Sequence, residues 1–256
     1  MKIFILCGGF GTRLDFEGKL KAKPMVTIGN KPILYHIMKN FSDQNFNEFV
    51  LCSGNKSDTI DNYFLNNNKK NTKILKNTKH LKILEQKNNK KKIKINIVNT
   101  GIKTSTGSRI KLAYDKLKLD EDIIMTYGDG LSNVNIKSLI KFHYNNKANV
   151  TLTAVRPKQR YGVLKIKKNK VAFFDDSKKK TSLYINGGFF VISKNEIKKI
   201  KGLNVTWEDL PLKKNKDKKK LYAFKHEGFW ASLDTLKDKM ELNELYKKNK
   251  NVWKVK

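Results

Sequence analysis

Residues Ile3 to Leu14 read IFILCGGFGTRL, an apolar run that ends in three glycines and an arginine within six positions, Gly8 to Arg13. The five residues Ile3 to Cys7 fit a short strand. A strand feeding a glycine-rich turn places several backbone N–H groups on one concave surface, where the missing Cβ lets an anion approach the backbone closely. Arg13 adds a fork for phosphate oxygens. Lys21 and Lys23, the latter followed by Pro24 in KAKPM, supply further positive charge about ten residues on. The stretch does not match G-x-G-x-x-G, because Leu14 stands where the third glycine would be, and no Gly-Lys-Ser or Gly-Lys-Thr of a P-loop follows. Taken alone, it reads either as an anion cradle or as a tight structural turn.

The fold expectation comes from what flanks this stretch. KPILYHIMKNF places Ile33, Leu34, Ile37, Met38 and Phe41 at helical spacing, FVLC reads as a strand, and KSDTIDNYFL as a helix. The same βαβ rhythm continues through INIVNT, IIMTYGDG and VTLTAV, with helices at SRIKLAYDKLK and NIKSLIKFHY. The expected class is α/β, a Rossmann-like mostly parallel sheet flanked by helices, with ligands at the carboxyl ends of its strands. From Val163 onward the short strands VLKI, VAFF, YINGGFFVI and LYAFK predict a smaller mixed β region in the C-terminal half. One domain, 1–256, is expected. Within it, Asn66 to Lys92 is nearly all lysine and asparagine with a thin scatter of Ile and Leu. That segment reads as a long surface excursion, mobile or partly ordered, or else as a flap over a neighbouring site.

Composition excludes several classes. The 256 residues carry a net charge of +32, but the 55 basic residues are 51 lysines and only four arginines, Arg13, Arg109, Arg156 and Arg160. Nucleic-acid surfaces lean on arginine for bidentate phosphate and guanine contacts, and no aromatic-and-basic RNP element is present. A lysine excess spread over every segment reads as solvated faces, so no nucleic-acid partner is expected. No run approaches the roughly 18 to 20 apolar residues that a membrane span needs, and Ile3 to Cys7 is too short for a signal peptide. A cytoplasmic protein without a membrane partner is the expectation. Cys7 and Cys52 each close an apolar run, which predicts buried thiols rather than a disulfide or metal pair.

Two aspartates stand out. Asp129 in IIMTYGDG follows an apolar strand and is flanked by Gly128 and Gly130, which suits either a metal-binding carboxylate beside a phosphate or a turn aspartate. Asp234 in WASLDTLKDK reads locally as a helix N-cap.

GGFGTRL followed nine residues later by KPM resembles the signature of the sugar-1-phosphate nucleotidylyltransferases. TYGDG, TLTAV, RYGVL, INGGFFVI, TWEDLPL, HEGFW, LDTLKDK and VWKV resemble its glucose-1-phosphate cytidylyltransferase branch, in order and over essentially the whole chain. The resemblance implies transfer of the cytidylyl group of CTP to glucose 1-phosphate with Mg²⁺, giving CDP-glucose. Other nucleotides or hexose phosphates in the same fold, and a basic nucleic-acid-binding protein, are the alternatives. It also implies a homo-oligomer and a product feeding dideoxyhexose synthesis for O-antigen lipopolysaccharide.

By the same resemblance, nucleotide binding falls to Leu6, Cys7, Gly8, Gly9, Phe10, Gly11, Thr12 and Arg13, with Lys23, Thr104, Arg109 and Gly128. Arg13, Lys23 and Asp129 become the catalytic group, and Asp129 and Asp234 the metal ligands. Thr104 and Arg109 precede or open a helix whose backbone donors could meet the nucleotide, although Thr104 fits an ordinary loop or cap equally well. Tyr127, Asn186 and Gly187 are expected partners of the sugar, placing sugar binding and completion of the metal site in 163–256. One departure stands out. Where the family carries F-x-E-K-P, this chain has FDDSKKK, with Ser177 at the lysine position and Lys178, Lys179 and Lys180 following.

Overall fold

The computed structural model describes residues 1–9, 20–66, 71–88, 91–158, 162–175, 183–209, 220–250 and 252–255. Its first half runs β1 (Ile3–Leu6), a 3₁₀ turn Lys23–Met25, β2 (Thr27–Ile28), β3 (Lys31–Pro32), α1 (Ile33–Asp43), β4 (Glu48–Ser53), α2 (Ser57–Leu65), β5 (Thr72–Asn77), β6 (Leu81–Asn88), β7 (Lys91–Asn99) and α3 (Thr106–Lys116). The second half runs β8 (Ile123–Tyr127), β9 (Gly130–Ser132), α4 (Ile136–Asn145), β10 (Val150–Val155), β11 (Val163–Lys167), β12 (Lys170–Asp175), β13 (Ile185–Ile192), α5 (Lys194–Lys198), β14 (Leu221–His226), β15 (Trp230–Ser232) and α6 (Leu236–Lys248). None of the helices among the described residues is long and apolar enough to cross a membrane.

Nine strands form one sheet in the order β14-β10-β13-β8-β1-β4-β7-β6-β5. Its centre, β8-β1-β4-β7, is parallel throughout. Every residue of β1 is buried, as expected for a parallel strand covered on both faces, which gains nothing from polar alternation. One covering layer joins Ile3, Ile5, Phe49 and Leu51 to Ile33, Ile37 and Phe41 of α1. The other joins Phe4 and Val50 to Ile110 and Tyr114 of α3. Cys7 sits in the first layer and Cys52 in the second, so the sheet itself separates the two thiols.

Two expectations are corrected. Asn66 to Lys92 carries regular structure where described: β5 and β6 form an antiparallel hairpin that extends the sheet, and β6 also pairs antiparallel with β7. Leu81 and Leu84 are buried within it. Leu81 and Leu84 stand three residues apart, so they face opposite layers of the sheet and show no period of two, and Ile74 and Leu75 on β5 stay exposed. Lys73 and Lys76 then lie on the outer strand, where charge discourages edge-to-edge pairing. Leu84→Ala should therefore cost about 2–5 kcal/mol, read as a lowered urea midpoint with an unchanged slope. A surface excursion would lose less than about 0.5 kcal/mol.

The second correction concerns the C-terminal strands. The α/β class holds, but β13 and β14 join the main sheet rather than a separate region; β13 lies antiparallel between β8 and β10, and β14 lies parallel to β10. Among the described residues of that half, only the β11–β12 hairpin and the β9–β15 pair stand apart from it. The β9–β15 pairing sets Ser232 opposite Gly130, and Leu233 N donates to Asp129 O at 2.8 Å. Two aspartates more than a hundred residues apart thereby become neighbours.

Candidate active site

The carboxyl ends of β1 and β8 meet at the glycine turn. Gly128 N donates to Leu6 O at 3.1 Å, and Cys7 N to Cys52 O at 3.0 Å. A Cβ on Gly128 would stand 2.6 Å from Pro24 Cγ and 2.8 Å from Leu6 O, so only glycine lets the Lys23–Met25 turn pack this closely. Pro24 is buried there, and that packing aims the Lys23 side chain at the end of β8. Its ammonium donates to Asp129 Oδ2 at 2.6 Å and Asp234 Oδ1 at 2.8 Å.

Burial alone would lower the Lys23 pKa, but the charges and hydrogen bonds of the two carboxylates outweigh it and hold it above its ordinary value. Asp234 is not the N-cap expected from its sequence. Thr235 caps α6, and the Asp238 carboxylate accepts from Thr235 N and Asp234 N at 2.8 and 3.0 Å. This capping box fixes the backbone at Asp234 and leaves its carboxylate directed at Lys23.

Beside the acid pair opens a cleft of about 200 Å³, lined by Tyr127, Asn186, Gly187 and Trp230 together with Asp129 and Asp234. The antiparallel β13 brings its first residues to the same end of the sheet as the last residues of β8, so the predicted sugar group does assemble. Trp230 Nε1 donates to Gly187 O at 2.7 Å, and Asn186 Oδ1 accepts from Gly188 N at 2.9 Å.

Tyr127 differs from expectation in one respect: its hydroxyl donates to Glu208 rather than standing ready as a donor for a sugar. Burial, and then the Glu208 carboxylate, push the phenol well above its ordinary pKa, which keeps the donor proton in place.

The residues ascribed to the nucleotide divide. Gly8 and Gly9 lie at the described end of the turn, and Gly8 O accepts from Arg109 Nη2 at 2.9 Å. Phe10, Gly11, Thr12 and Arg13 lie outside the described residues, as do Ser177, Lys178, Lys179 and Lys180. Arg109 is buried and spends its guanidinium on the protein itself. Nη1 reaches Ser53 O, Thr100 Oγ1 and Gly101 O at 3.2, 2.8 and 2.6 Å, and Nη2 also reaches Ile102 O at 2.9 Å. It clamps the 100–102 loop beneath the glycine turn and does not line the cleft. Thr104 donates to Thr100 O at 2.6 Å in the same loop.

The expectation of open donors at the start of α3 also changes, since Ser105 N and Ser108 N both donate at 3.1 Å, to Leu203 O and Val205 O. Burial raises both thiols, Cys52 to about 12, so neither is a nucleophile at neutral pH.

Sequence reasoning missed Glu208 and Trp230. Both lie in stretches quoted only for their resemblance, TWEDLPL and HEGFW, where neither periodicity nor glycine context marks a site residue. Chemically, the arrangement offers no activated nucleophile among the described residues. It offers a cationic turn, two carboxylates converging on one positive charge, and a polar cleft beside them. Such a site holds and neutralises anionic reactants instead of attacking them.

Solved structures share this architecture. The crystal structure of HddC from Yersinia pseudotuberculosis complexed with GMP-PN superposes with a TM-score of 0.69 over 96% of this chain and 99% of that one, at 22% identity. That of a UDP-glucose pyrophosphorylase complexed with UDP-glucose gives 0.67 over 96% and 98%, at 14% identity. In sequence, the chain is 40% identical to the glucose-1-phosphate cytidylyltransferase of Salmonella typhimurium over 99% of both proteins. It is 27% identical to the D-glycero-alpha-D-manno-heptose 1-phosphate guanylyltransferase of Aneurinibacillus thermoaerophilus, over 91% and 93%. The profile described as nucleotidyl transferase matches residues 2–249. With that match spanning nearly the whole chain, on a site of this geometry, the protein belongs to the nucleotidyl transferase family.

Proposed function

We propose that this protein transfers the cytidylyl group of CTP to glucose 1-phosphate. A phosphate oxygen of glucose 1-phosphate forms a bond to the α-phosphorus of CTP, the bond from that phosphorus to the bridging oxygen breaks, and pyrophosphate leaves in line. The observation that carries the reaction class is the convergence of Lys23, Asp129 and Asp234 where the glycine turn meets the cleft. The choice of CTP and glucose 1-phosphate rests on the likeness over full length to the Salmonella enzyme.

Nucleotidyl transferases generally use a divalent metal ion. Asp129 and Asp234 fit one, because their oxygens already converge on a single cation, the Lys23 ammonium, and hard oxygen donors suit Mg²⁺. When bound, Mg²⁺ would neutralise phosphate charge in the transition state. Lys23 holds the triphosphate and offsets charge growing on the departing pyrophosphate, and Gly8 and Gly9 present backbone N–H groups to the nucleotide. Asn186 and Gly187 orient the sugar, with the Trp230 indole fixing the Gly187 carbonyl.

The test is incubation with glucose 1-phosphate and each of the four NTPs, followed by pyrophosphate release. CTP should exceed each other nucleotide in kcat/KM by about 10²-fold or more, the scale reached by sites that hydrogen-bond a base. Preference for another nucleotide would overturn the assignment of CTP. No turnover with any of them would overturn the reaction.

A further inference from the structure

Arg109 enters from the first turn of α3 and ties three strand ends together. Its guanidinium donates to Gly8 O just past β1, to Ser53 O at the end of β4, and to Thr100 Oγ1, Gly101 O and Ile102 O in the loop after β7. All five acceptors are neutral oxygens, and the side chain is buried. A Cβ on Gly8 or on Gly54 would collide with the guanidinium, so the chain closes on it as only glycine permits. The loop after β7 is also stitched internally, since Thr104 holds Thr100 O and Asn99 Oδ1 accepts from Gly101 N at 3.0 Å.

A trans peptide sets its C=O and the next residue's N–H on opposite sides, and no cis peptide bond occurs among the described residues. Holding Gly8 O against Arg109 therefore turns the N–H of Gly9 away from it. Gly101 O and Ile102 O, held in the same way, turn the N–H groups of Ile102 and Lys103 away as well. Gly9, Ile102 and Lys103 are all exposed. None of their N–H groups finds an acceptor among the described residues.

Gly8 O and Ile102 O both lie 2.9 Å from one nitrogen, Nη2. The peptide units that carry the Gly9 and Lys103 donors are therefore neighbours, although they come from opposite ends of the first half of the chain. A buried cation that consumes carbonyl oxygens leaves the outer surface rich in donors and positive in potential, which suits a polyphosphate.

We infer that Arg109 is a positioning residue for the nucleotide, which it serves without touching it: it joins the glycine turn to the 100–103 loop and turns the N–H groups of Gly9, Ile102 and Lys103 toward CTP. The inference rests on the reaction proposed above. It adds Ile102 and Lys103 to the site as main-chain donors, a role that their side chains do not announce.

Two measurements on the full chain test it. The first is binding of CTP and of glucose 1-phosphate, separately, by calorimetry on wild type, Arg109→Lys and Thr100→Val. Lysine keeps the charge, but one ammonium lacks the fork that spans three strand ends. Arg109→Lys should weaken CTP binding by about tenfold, the loss expected for hydrogen bonds to a charged group, and glucose 1-phosphate binding by less than about twofold. Thr100→Val removes one acceptor and leaves the arginine in place, so it should weaken CTP binding by about two- to threefold. The second is the amide spectrum of wild type during a CTP titration. The N–H signals of Gly9, Ile102 and Lys103 should move downfield, while the guanidinium signals of Arg109 keep their positions.

Unchanged CTP binding in Arg109→Lys would overturn the inference, and equal weakening of both substrates would reduce Arg109 to a structural strut and overturn it too. Arg109 signals that shift more than the three amides would mean direct contact with the nucleotide, again against the inference. If Arg109→Lys fails to fold, Thr100→Val and the wild-type titration still read the same linkage. If wild type itself binds no CTP, the proposed reaction falls and takes this inference with it. Normal wild-type binding with a silent Arg109→Lys removes the inference alone.

Discussion

Asp129→Asn lowers kcat by about 10²- to 10³-fold at saturating CTP and glucose 1-phosphate, while the folded protein remains intact. The magnitude is that of removing one group aimed at charge developing in a transition state. The side chain keeps its shape, and the backbone keeps its place at the end of β8, where the main-chain carbonyl of residue 129 accepts from Leu233 N. What it loses is the charge that pairs with Lys23 and, in the proposed site, with Mg²⁺. Raising the Mg²⁺ concentration should restore part of the rate, because one carboxylate still remains at Asp234. The check is pyrophosphate release across a Mg²⁺ titration, beside a thermal unfolding curve. Near-normal turnover at ordinary Mg²⁺ would remove Asp129 from the site.

Lys23→Met produces a second large loss, about 10²- to 10³-fold in kcat, for the complementary reason. Methionine fills the same volume above the acid pair but carries no charge for the departing pyrophosphate. Its effect on stability has a distinctive sign. In the wild type the ammonium neutralises both carboxylates at 2.6 and 2.8 Å. Without it, two partly buried acids face each other, so the metal-free variant should unfold at a lower temperature than wild type. Added Mg²⁺ should then raise the variant's Tm more than it raises that of wild type, since a ligand that binds only the folded state stabilises in proportion to its affinity. Calorimetric scans with and without Mg²⁺ read this directly. Equal Tm shifts in both proteins would mean that Lys23 and the ion do not share the two carboxylates.

Much of the central architecture was legible in the sequence because it rests on local signals. Ile3–Leu6 reads as a strand from its apolar run, and Gly8 behind it stands where a Cβ would collide with the Arg109 guanidinium. The helix from Ile33 shows its buried stripe openly. The hairpin Thr72–Asn77 and Leu81–Asn88 was not legible, because its buried leucines, Leu81 and Leu84, stand three residues apart and lysine fills so many other positions that no period of two appears.

The insertion of Ile185–Ile192 between two strands far from it in the chain is a long-range choice that no local pattern encodes. The site divides along the same line. Asp129 declares itself through its strand and flanking glycines. Asp234 joins it only because Trp230–Ser232 pairs with Gly130–Ser132, a tertiary fact that resemblance anticipated and spacing could not. Arg109 was expected at the nucleotide and is found clamping carbonyls, since a sequence does not say where an arginine's donors are spent. Glu208 sits on an irregular stretch where no periodicity singles it out.

The central claim is a single direct displacement at the α-phosphorus of CTP, carried by positioned charge and not by a covalent relay. Its most direct test is the product formed from glucose 1-phosphate and CTP made chiral by sulfur at the α-phosphorus, with configuration assigned by phosphorus NMR. One in-line displacement predicts CDP-glucose with inverted configuration at that phosphorus. Retained configuration would mean two successive displacements through an enzyme-bound intermediate, and would contradict the account.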